Sequence, residues 1–359
     1  MPEPPLVSVC IPTYENARHL SACIESALAQ TCEHIEILVA DDSSTDDSHA
    51  IAQRYARVDS RLRCWRNESN LGLGGNWNLC LERARGRYVM LFHGDDVYAP
   101  TVVEQLLGSL QANPRLGAAF TLATWIDEDN RILRPMHVPP GVAHGGELDY
   151  CQVLYETLRY RNFLVCPSAM LPRAVWLELG GFDPTRCFSV DLDMWLRLLQ
   201  RYPVTVLPQR LVSCRLSATH ATFRFHCQRT QLDESFPLLD QHLEAALPEL
   251  CQRYTAAQLD QARHMHAYWR LKDLAFCHAN AVLSRQQAQA AALAGQFHAL
   301  RRAVPPDYRP TFGPFDSVPA LIRLRRVAKR RLRALVDQLS RRGLAVYRTR
   351  HGLRFLRPE

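Results

Sequence analysis

No stretch of this chain approaches the roughly 18 to 20 consecutive apolar residues that a membrane span needs. The opening string MPEPPLVSV also lacks the basic-then-apolar pattern of a signal peptide. Together these absences predict a cytoplasmic protein. The twelve cysteines are scattered without a CxxC pair, and Cys10 and Cys23 fall on apolar positions of a strand and a helix. They read as small buried hydrophobes in a reducing compartment, not as a disulfide framework. His19, His34 and His49 show no metal-ligand spacing and read as surface residues. No internal repeat is present. The string after the first apolar run, IPTYENAR, is not the glycine-rich loop with a basic residue that nucleotidyltransferases present to a triphosphate.

What the chain does have is two acidic doublets, Asp41-Asp42 and Asp95-Asp96, each placed just after a strand-like apolar run, EILVA and RYVMLF. A third run, LVSVCIP from Leu6 to Pro12, precedes both. Short apolar runs of this kind read as parallel strands buried on both faces, and ligands of open α/β sheets gather at the carboxyl ends of strands. The carboxylates therefore converge on one crevice. Clustered carboxylates repel one another unless a cation or a donor-rich ligand lies between them, which predicts a divalent metal with oxygen ligands and a polyhydroxylated partner.

At 359 residues, 47% apolar and 22% charged, the chain has the composition of a soluble globular protein with one large core or two modest ones. Leu20, Ile24, Ala27 and Leu28 repeat at helical spacing, as do Ile51, Ala52 and Tyr55 after the string DDSSTDDS. Their alternation with the strands predicts a parallel sheet with right-handed crossovers over residues 1–125. Further strands are expected at 62–65, 88–92 and 118–125, and helices at 74–84 and 100–112. Residues 127–147, rich in Pro and Gly, read as a loop or a β excursion. Helices follow from about residue 229. Residues 318–359 carry 13 Lys or Arg against 2 Asp or Glu, a net of +11, while the remainder of the chain nets −4. Within that tail Leu321, Leu324, Ala328, Leu332, Leu335 and Leu339 fall at steps of three and four, which predicts an amphipathic helix. Such a helix can dock on the core, lie on an anionic membrane surface, or meet a polyanion or partner. No aromatic residues are interleaved with its arginines, so nucleic acid is not expected.

The strings VSVCIPTYENARHLSACIESALAQTCEHIEILVADDSSTDD, NLGLGGNWNLCLERARG and RYVMLFHGDDVYAP resemble the nucleotide-binding half of the family 2 glycosyltransferases. A later string, GGFDPTRCFSVDLDMWLRL from Gly180 to Leu198, resembles that family's acceptor-side segment, and all four occur in the family's order over residues 6 to 220. The resemblance implies an α/β fold of the GT-A type, a Rossmann-related, mixed and mainly parallel sheet flanked by helices. It would span residues 1–228, with 1–125 the nucleotide-sugar-binding half and 126–228 the acceptor half, followed by a helical extension over 229–317 and the basic tail 318–359. The implied reaction moves a sugar from a nucleotide-diphosphate sugar to a hydroxyl of a glycan or lipid-linked acceptor, with inversion and with Mn²⁺ or Mg²⁺. A membrane-facing tail would place such an enzyme on the inner face of the membrane. The rival from another class is a non-catalytic nucleotide-binding or scaffold protein on the same fold, against which intact Asp95, Asp96 and Asp191 argue.

By the same resemblance, Pro12, Thr13 and Tyr14 wall the base pocket, with Tyr14 stacking on the nucleobase. Asp42 accepts a base N–H, as uracil, thymine or guanine would offer. Asp41, Asp42 and Asp46 also suit plain turn and helix-cap chemistry, and Glu15 stands where many relatives have Asn. Asp95 reaches the ribose or the metal and Asp96 coordinates the metal; His93 stands where many members carry another Asp. Asn70, Gly72 and Asn78 fit the family's NxG and following Asn, which line the donor site, although Asn-Leu-Gly before a helix is equally ordinary capping chemistry. Asp191 matches the general base, with Asp193 read as a first-turn residue favoured by the helix dipole. Arg215 or His220 matches the residue that clamps the diphosphate, a solvated arginine being the bland alternative.

Overall fold

The computed structural model describes residues 4–187, 189–216, 230–308, 345–349 and 352–356. The first strand, β1 (Val7–Thr13), sends Val7, Val9 and Ile11 into one core and Cys10 into another on the opposite face. Such two-sided burial is why the run is apolar almost without interruption. The chain continues through α1 (Leu20–Leu28), β2 (Ile35–Asp41), α2 (Ser48–Ala56), β3 (Leu62–Arg66), α3 (Gly72–Glu82), β4 (Tyr88–Leu91), β5 (Val97–Tyr98), α4 (Val102–Ala112) and β6 (Ala118–Ile126). The strands expected at 62–65, 88–92 and 118–125 are β3, β4 and β6, and the helices expected at 74–84 and 100–112 are α3 and α4, each begun two residues from its expected start.

Next come β7 (Ile132–Pro135), β8 (Gly146–Leu148), α5 (Tyr150–Tyr160), a single 3-10 turn at Cys166–Ser168, β9 (Met170–Pro172), α6 (Arg173–Glu178), α7 (Val190–Leu199) and β10 (Val204–Arg215). All ten strands join one mixed sheet with the order β3-β2-β1-β4-β9-β6-β10-β5, with β7 paired to β6 and β8 to β10. β1, β2, β3 and β4 pair in parallel, as do β6 and β10, while β9 inserts antiparallel between β4 and β6. The Pro- and Gly-rich stretch is thus a β excursion of the same sheet, because both of its short strands pair with sheet strands.

Helices α1, α2 and α4 cover one face through Leu20, Ile24, Ile51 and Leu106, and α3 and α7 cover the other through Trp77, Leu81, Trp195 and Leu198. The eleven cysteines among the described residues are free thiols, with Cys10 and Cys23 fully buried. His19 departs from its expected surface position: it is buried, 3.3 Å from the Glu128 carboxylate, because α1 begins against the β6–β7 turn.

The chain forms two compact units, Met1–His226 with Asp233–His266, and Cys227–Leu232 with Ala267–Glu359. The helical region begins with α8 (Ser235–Arg253), which belongs to the first unit and packs Leu238, Leu239 and Leu250 against Leu154 and Leu158 of α5. It continues with α9 (Ala256–Leu283) and α10 (Gln287–Ala303). In the second unit Leu271, Leu274 and Cys277 of α9 meet Leu293 and Phe297 of α10. A hairpin of β11 (Ala345–Thr349) and β12 (Gly352–Leu356) also belongs to that unit. The amphipathic helix expected over Leu321–Leu339 lies outside the described residues. Among the described residues no helix is long and apolar enough to cross a membrane.

Candidate functional site

The carboxyl ends of β1 and β2 bring Thr13 and Asp41 side by side in register. Both are buried, and neither Thr13 Oγ1 nor Asp41 Oδ1 has a hydrogen-bond partner among the described residues. Tyr14, one residue on, turns outward and is 49% exposed. Asp42 is buried and caps α3: Oδ1 accepts from Leu71 N at 2.9 Å and from Asn67 Nδ2 at 2.9 Å, and Oδ2 accepts from Gly72 N at 3.1 Å. A carboxylate at a helix N-terminus satisfies orphan N–H groups and the positive end of the dipole together.

Asn70 closes the same knot, donating to Asp42 O at 3.1 Å and accepting from Gly72 N at 3.1 Å. Asn67 and Asn76, which sequence reasoning missed, extend it inward, since Asn67 Nδ2 also donates to Asn76 Oδ1 and Asn76 Nδ2 donates to Ala40 O. Their signal is weak because a buried asparagine and a surface-turn asparagine look alike in sequence. Glu15, at φ +53°, accepts from Thr45 N at 2.7 Å and Thr45 Oγ1 at 2.9 Å, while Asp46 accepts from Ala17 N and Ser48 N. These two acidic residues hold the β1 and β2 loops together.

After β4 the chain turns at His93 and Gly94 and delivers Asp95 and Asp96 to the same end of the sheet. A Cβ on Gly94 would lie 3.1 Å from Thr13 Oγ1 and 3.1 Å from Asn16 Nδ2, so the turn is pressed against the end of β1. Both carboxylates are nearly excluded from solvent. Burial first, and the Asp95 charge second, push the Asp96 carboxyl well above the usual carboxylate range.

Arg215, the last residue of β10, builds this turn from the far side. Its backbone N donates to Asp96 Oδ1 at 2.8 Å, and its buried guanidinium donates to Asp95 O at 2.7 Å, Asp127 O at 2.6 Å and Asn130 Oδ1 at 2.5 Å. Where the sequence suggested a phosphate clamp or a solvated side chain, the guanidinium is engaged inside the protein; His220 lies outside the described residues.

Asp191 stands in the first turn of α7, with Oδ1 accepting from Leu192 N at 2.8 Å and Oδ2 from Asn162 Nδ2 at 3.0 Å. Burial pushes its carboxyl up to about 6 against those two hydrogen bonds, and the Asp233 charge adds to the push. Asp193, two residues on, differs: it is paired with Arg186 at 3.1 Å and Arg197 at 2.8 Å. Arg197 in turn donates to Leu179 O and Gly181 O, so Asp193 serves the loop before α7.

Asn78 serves that loop as well, donating to Phe182 O at 2.8 Å and accepting from Phe182 N at 2.9 Å. Gly181, at φ +75°, comes so close that a Cβ would stand 2.8 Å from Asn78 Oδ1; only glycine fits there. Cys166, in the 3-10 turn that leads into β9, is buried, and burial raises its thiol pKa most, with the charges of Asp191 and Asp96 next. β9 pairs antiparallel with β4, and Asn162 on the approach to β9 bonds Asp191, so both carboxylate sites belong to the same end of neighbouring strands.

Two adjacent carboxylates are the hard oxygen donors that a divalent cation takes, and a lone desolvated carboxyl is suited to proton transfer. Among the described residues no group of three or more His, Cys, Asp or Glu is placed to hold a metal, so an ion at Asp95 and Asp96 would draw further ligands from a bound anion or water.

Residues 8–175 match the family model described as glycosyl transferase family 2. The putative teichuronic acid biosynthesis glycosyltransferase TuaG of Bacillus subtilis (strain 168) is 37% identical over 199 residues, 55% of this chain and 73% of that protein. The UDP-Glc:alpha-D-GlcNAc-diphosphoundecaprenol beta-1,3-glucosyltransferase WfaP of Escherichia coli is 32% identical over 154 residues, 43% of this chain and 59% of its own length. In fold the chain is similar to S. aureus TarS 1-349 in complex with UDP-GlcNAc, with a TM-score of 0.57 at 17% identity over 98% of this chain and 97% of that one.

Proposed function

Because this chain belongs to glycosyl transferase family 2 and is a glycosyltransferase, we propose that it moves a sugar from a nucleoside-diphosphate sugar to a hydroxyl of a glycan or lipid-linked glycan by a single inverting displacement, with Asp191 as base and a divalent cation at Asp95 and Asp96. The observation that carries the reading is two unlike carboxylate sites at the ends of neighbouring strands, Asp95 and Asp96 after β4 and Asp191 bonded by Asn162 on the approach to β9, which pairs with β4. One is a crowded buried doublet and the other a single carboxyl raised to about 6.

In this reading Tyr14 offers its exposed ring to the nucleobase beside Pro12 and Thr13, and Asp42 with Asn70 sets the start of α3 against the donor. Asn78 acts indirectly, by fixing the Gly181–Phe182 loop in front of α7. A bound Mn²⁺ or Mg²⁺ would neutralise charge on the departing diphosphate. Asp191 takes the proton of the acceptor hydroxyl while that oxygen bonds to the anomeric carbon, and the bond from the anomeric carbon to the diphosphate oxygen breaks to release the nucleoside diphosphate. One base and no second nucleophile predict inversion. The names of TuaG and WfaP support a cell-surface glycan or an undecaprenyl-diphosphate-linked acceptor. The +11 charge of residues 318–359 favours an anionic membrane surface beside such an acceptor. Deleting 318–359 without change in vesicle co-sedimentation would remove that last element.

The test is a thermal-shift panel of UDP, GDP, dTDP and CDP, each with and without Mn²⁺, on the intact protein and on Asp96→Ala. A nucleotide at about 100 times its dissociation constant stabilises a fold by roughly 2.7 kcal/mol. One nucleotide should give a shift that needs both Mn²⁺ and Asp96. If none of the four shifts the intact protein, the donor-site assignment fails.

A further inference from the structure

Among the described residues, Asn162 is the side chain that donates to Asp191, and three features fix it there. Its Oδ1 accepts from Leu164 N at 3.2 Å, so Nδ2 is the end turned toward Asp191. The residue before it, Arg161, stands at φ +68°, ψ −174°, a region that non-glycine residues keep only when their surroundings hold them. Arg161 is so held: its N donates to Thr157 O at 2.8 Å, and its guanidinium donates to Asp233 Oδ2 at 2.9 Å while lying 5.3 Å from the centre of the Phe236 ring. Asp233 also accepts from Ser189 Oγ at 3.4 Å, and Ser189 is the residue immediately before α7. One carboxylate thus ties the strained turn that carries the donor to the start of the helix that carries Asp191.

We propose that Asn162 is a positioning residue for Asp191, and that the Arg161, Asp233 and Ser189 bracket sets the spacing between them. The inference rests on the reading of Asp191 as the base and adds what orients it. With Leu192 N on one oxygen and Asn162 on the other, the carboxylate plane is fixed, and both donors favour the ionised form. Among the described residues the charged and titratable groups that act on Asp191 are Asp233, itself paired with Arg161, and the buried Cys166 thiol. Asn162 is therefore, with Leu192 N, one of the two neutral donors that offset burial and the Asp233 charge. Its sequence distance from Asp191 and its loop position gave no sign of the role.

The experiment follows the Asp191 carboxyl in the full-length protein labelled with carboxyl-carbon-13 aspartate, the resonance being identified by its loss in Asp191→Asn. Asn162→Ala should raise the titration midpoint by about half a pH unit or more, and Asn162→Asp, which adds a like charge in the same shape, should raise it further. Stabilisation by the nucleotide chosen in the panel should be unchanged in both. If Asn162→Ala does not fold, Asn162→Asp decides alone. A midpoint that stays in place overturns the inference. Release of nucleoside diphosphate during transfer by Asp191→Asn separates this from the underlying reading: undiminished transfer would remove the base role, and with it the purpose of the coupling, whatever the titration shows.

Discussion

The Asp95–Asp96 turn is buried and Asp191 is half-buried, and the two carboxylate sites treat charge in opposite ways. At the turn two acids stand next to each other, and Arg215 is committed mainly to the backbone that shapes them. At α7 a single acid meets, among the described residues, two neutral hydrogen-bond donors, while its neighbour Asp193, two residues on, has two arginines. A crowded pair is stabilised by gaining a cation, and an isolated desolvated acid by gaining a proton. The protein thus separates the group suited to diphosphate from the group suited to a hydroxyl by environment, with the same side chain in both places.

Breaking the proton side of that contrast should have the largest effect. Asp191→Asn keeps the shape and removes the base, so transfer should fall by about 10²- to 10⁴-fold, with nucleotide-induced stabilisation retained; equal loss of both would mean that Asp191 belongs to the donor site. Next, Arg215→Ala keeps the backbone N–H to Asp96 but leaves the acceptors Asp95 O, Asp127 O and Asn130 Oδ1 without their donor. It should lower stability by about 3 kcal/mol or more in denaturant titration, since hydrogen bonds from charged groups contribute about 1.5 to 3 kcal/mol each. A variant of unchanged stability with weakened nucleotide binding would instead make Arg215 a phosphate ligand.

Removing divalent ions with a chelator should abolish transfer, and Mn²⁺ or Mg²⁺ should restore it in the intact protein but not in Asp96→Ala. The pH profile sharpens the comparison more gently. In the proposed reading Asp191 acts as a base when ionised, and its raised value near 6 places the acid limb there: kcat/KM should fall about tenfold per pH unit below 6 and level off above it. The smallest effect concerns stability. A carboxyl whose folded value is raised above the unfolded one loses its stabilising contribution as pH rises through the folded value, here near 6. Asp191→Asn should therefore melt slightly higher than the intact protein at pH 7, by up to about 1 kcal/mol, and converge with it at pH 4.

Much of the donor end was legible because it is local. The runs that became β1, β2 and β4 are buried on both faces, and their acidic doublets follow directly in the chain. The capping chemistry of Asp42, Asn70 and Asp46 was also visible, since turn residues act on near neighbours. The Asp191 pocket was legible only in its central residue. Its surroundings come from Asn162, Cys166, Ser189 and Asp233, brought together by α5, the 3-10 turn, α7 and the approach to α8. Strands β5, β7, β8 and β9 have two to four residues each, too short for a period-2 pattern, and β10 is interrupted by register shifts between Leu207 and Val212. The burial of Arg215 depends on that register, which no composition or spacing reveals.

The uninterrupted sheet carries a consequence for how such an enzyme can diversify. Asp95 and Asp96 leave the end of β4, and β4 pairs directly with β9, whose approach carries Asn162, bonded to Asp191. The spacing of the two carboxylate sites is therefore measured out by adjacent strands, as marks on a ruler. Loops that leave Ser189 and Arg186 in place, such as 136–145, can lengthen, shorten or change character without altering that measure. New acceptors can be tried by loop exchange while the reacting atoms keep their places, and a graft of these loops between relatives should change what is glycosylated before it changes whether anything is.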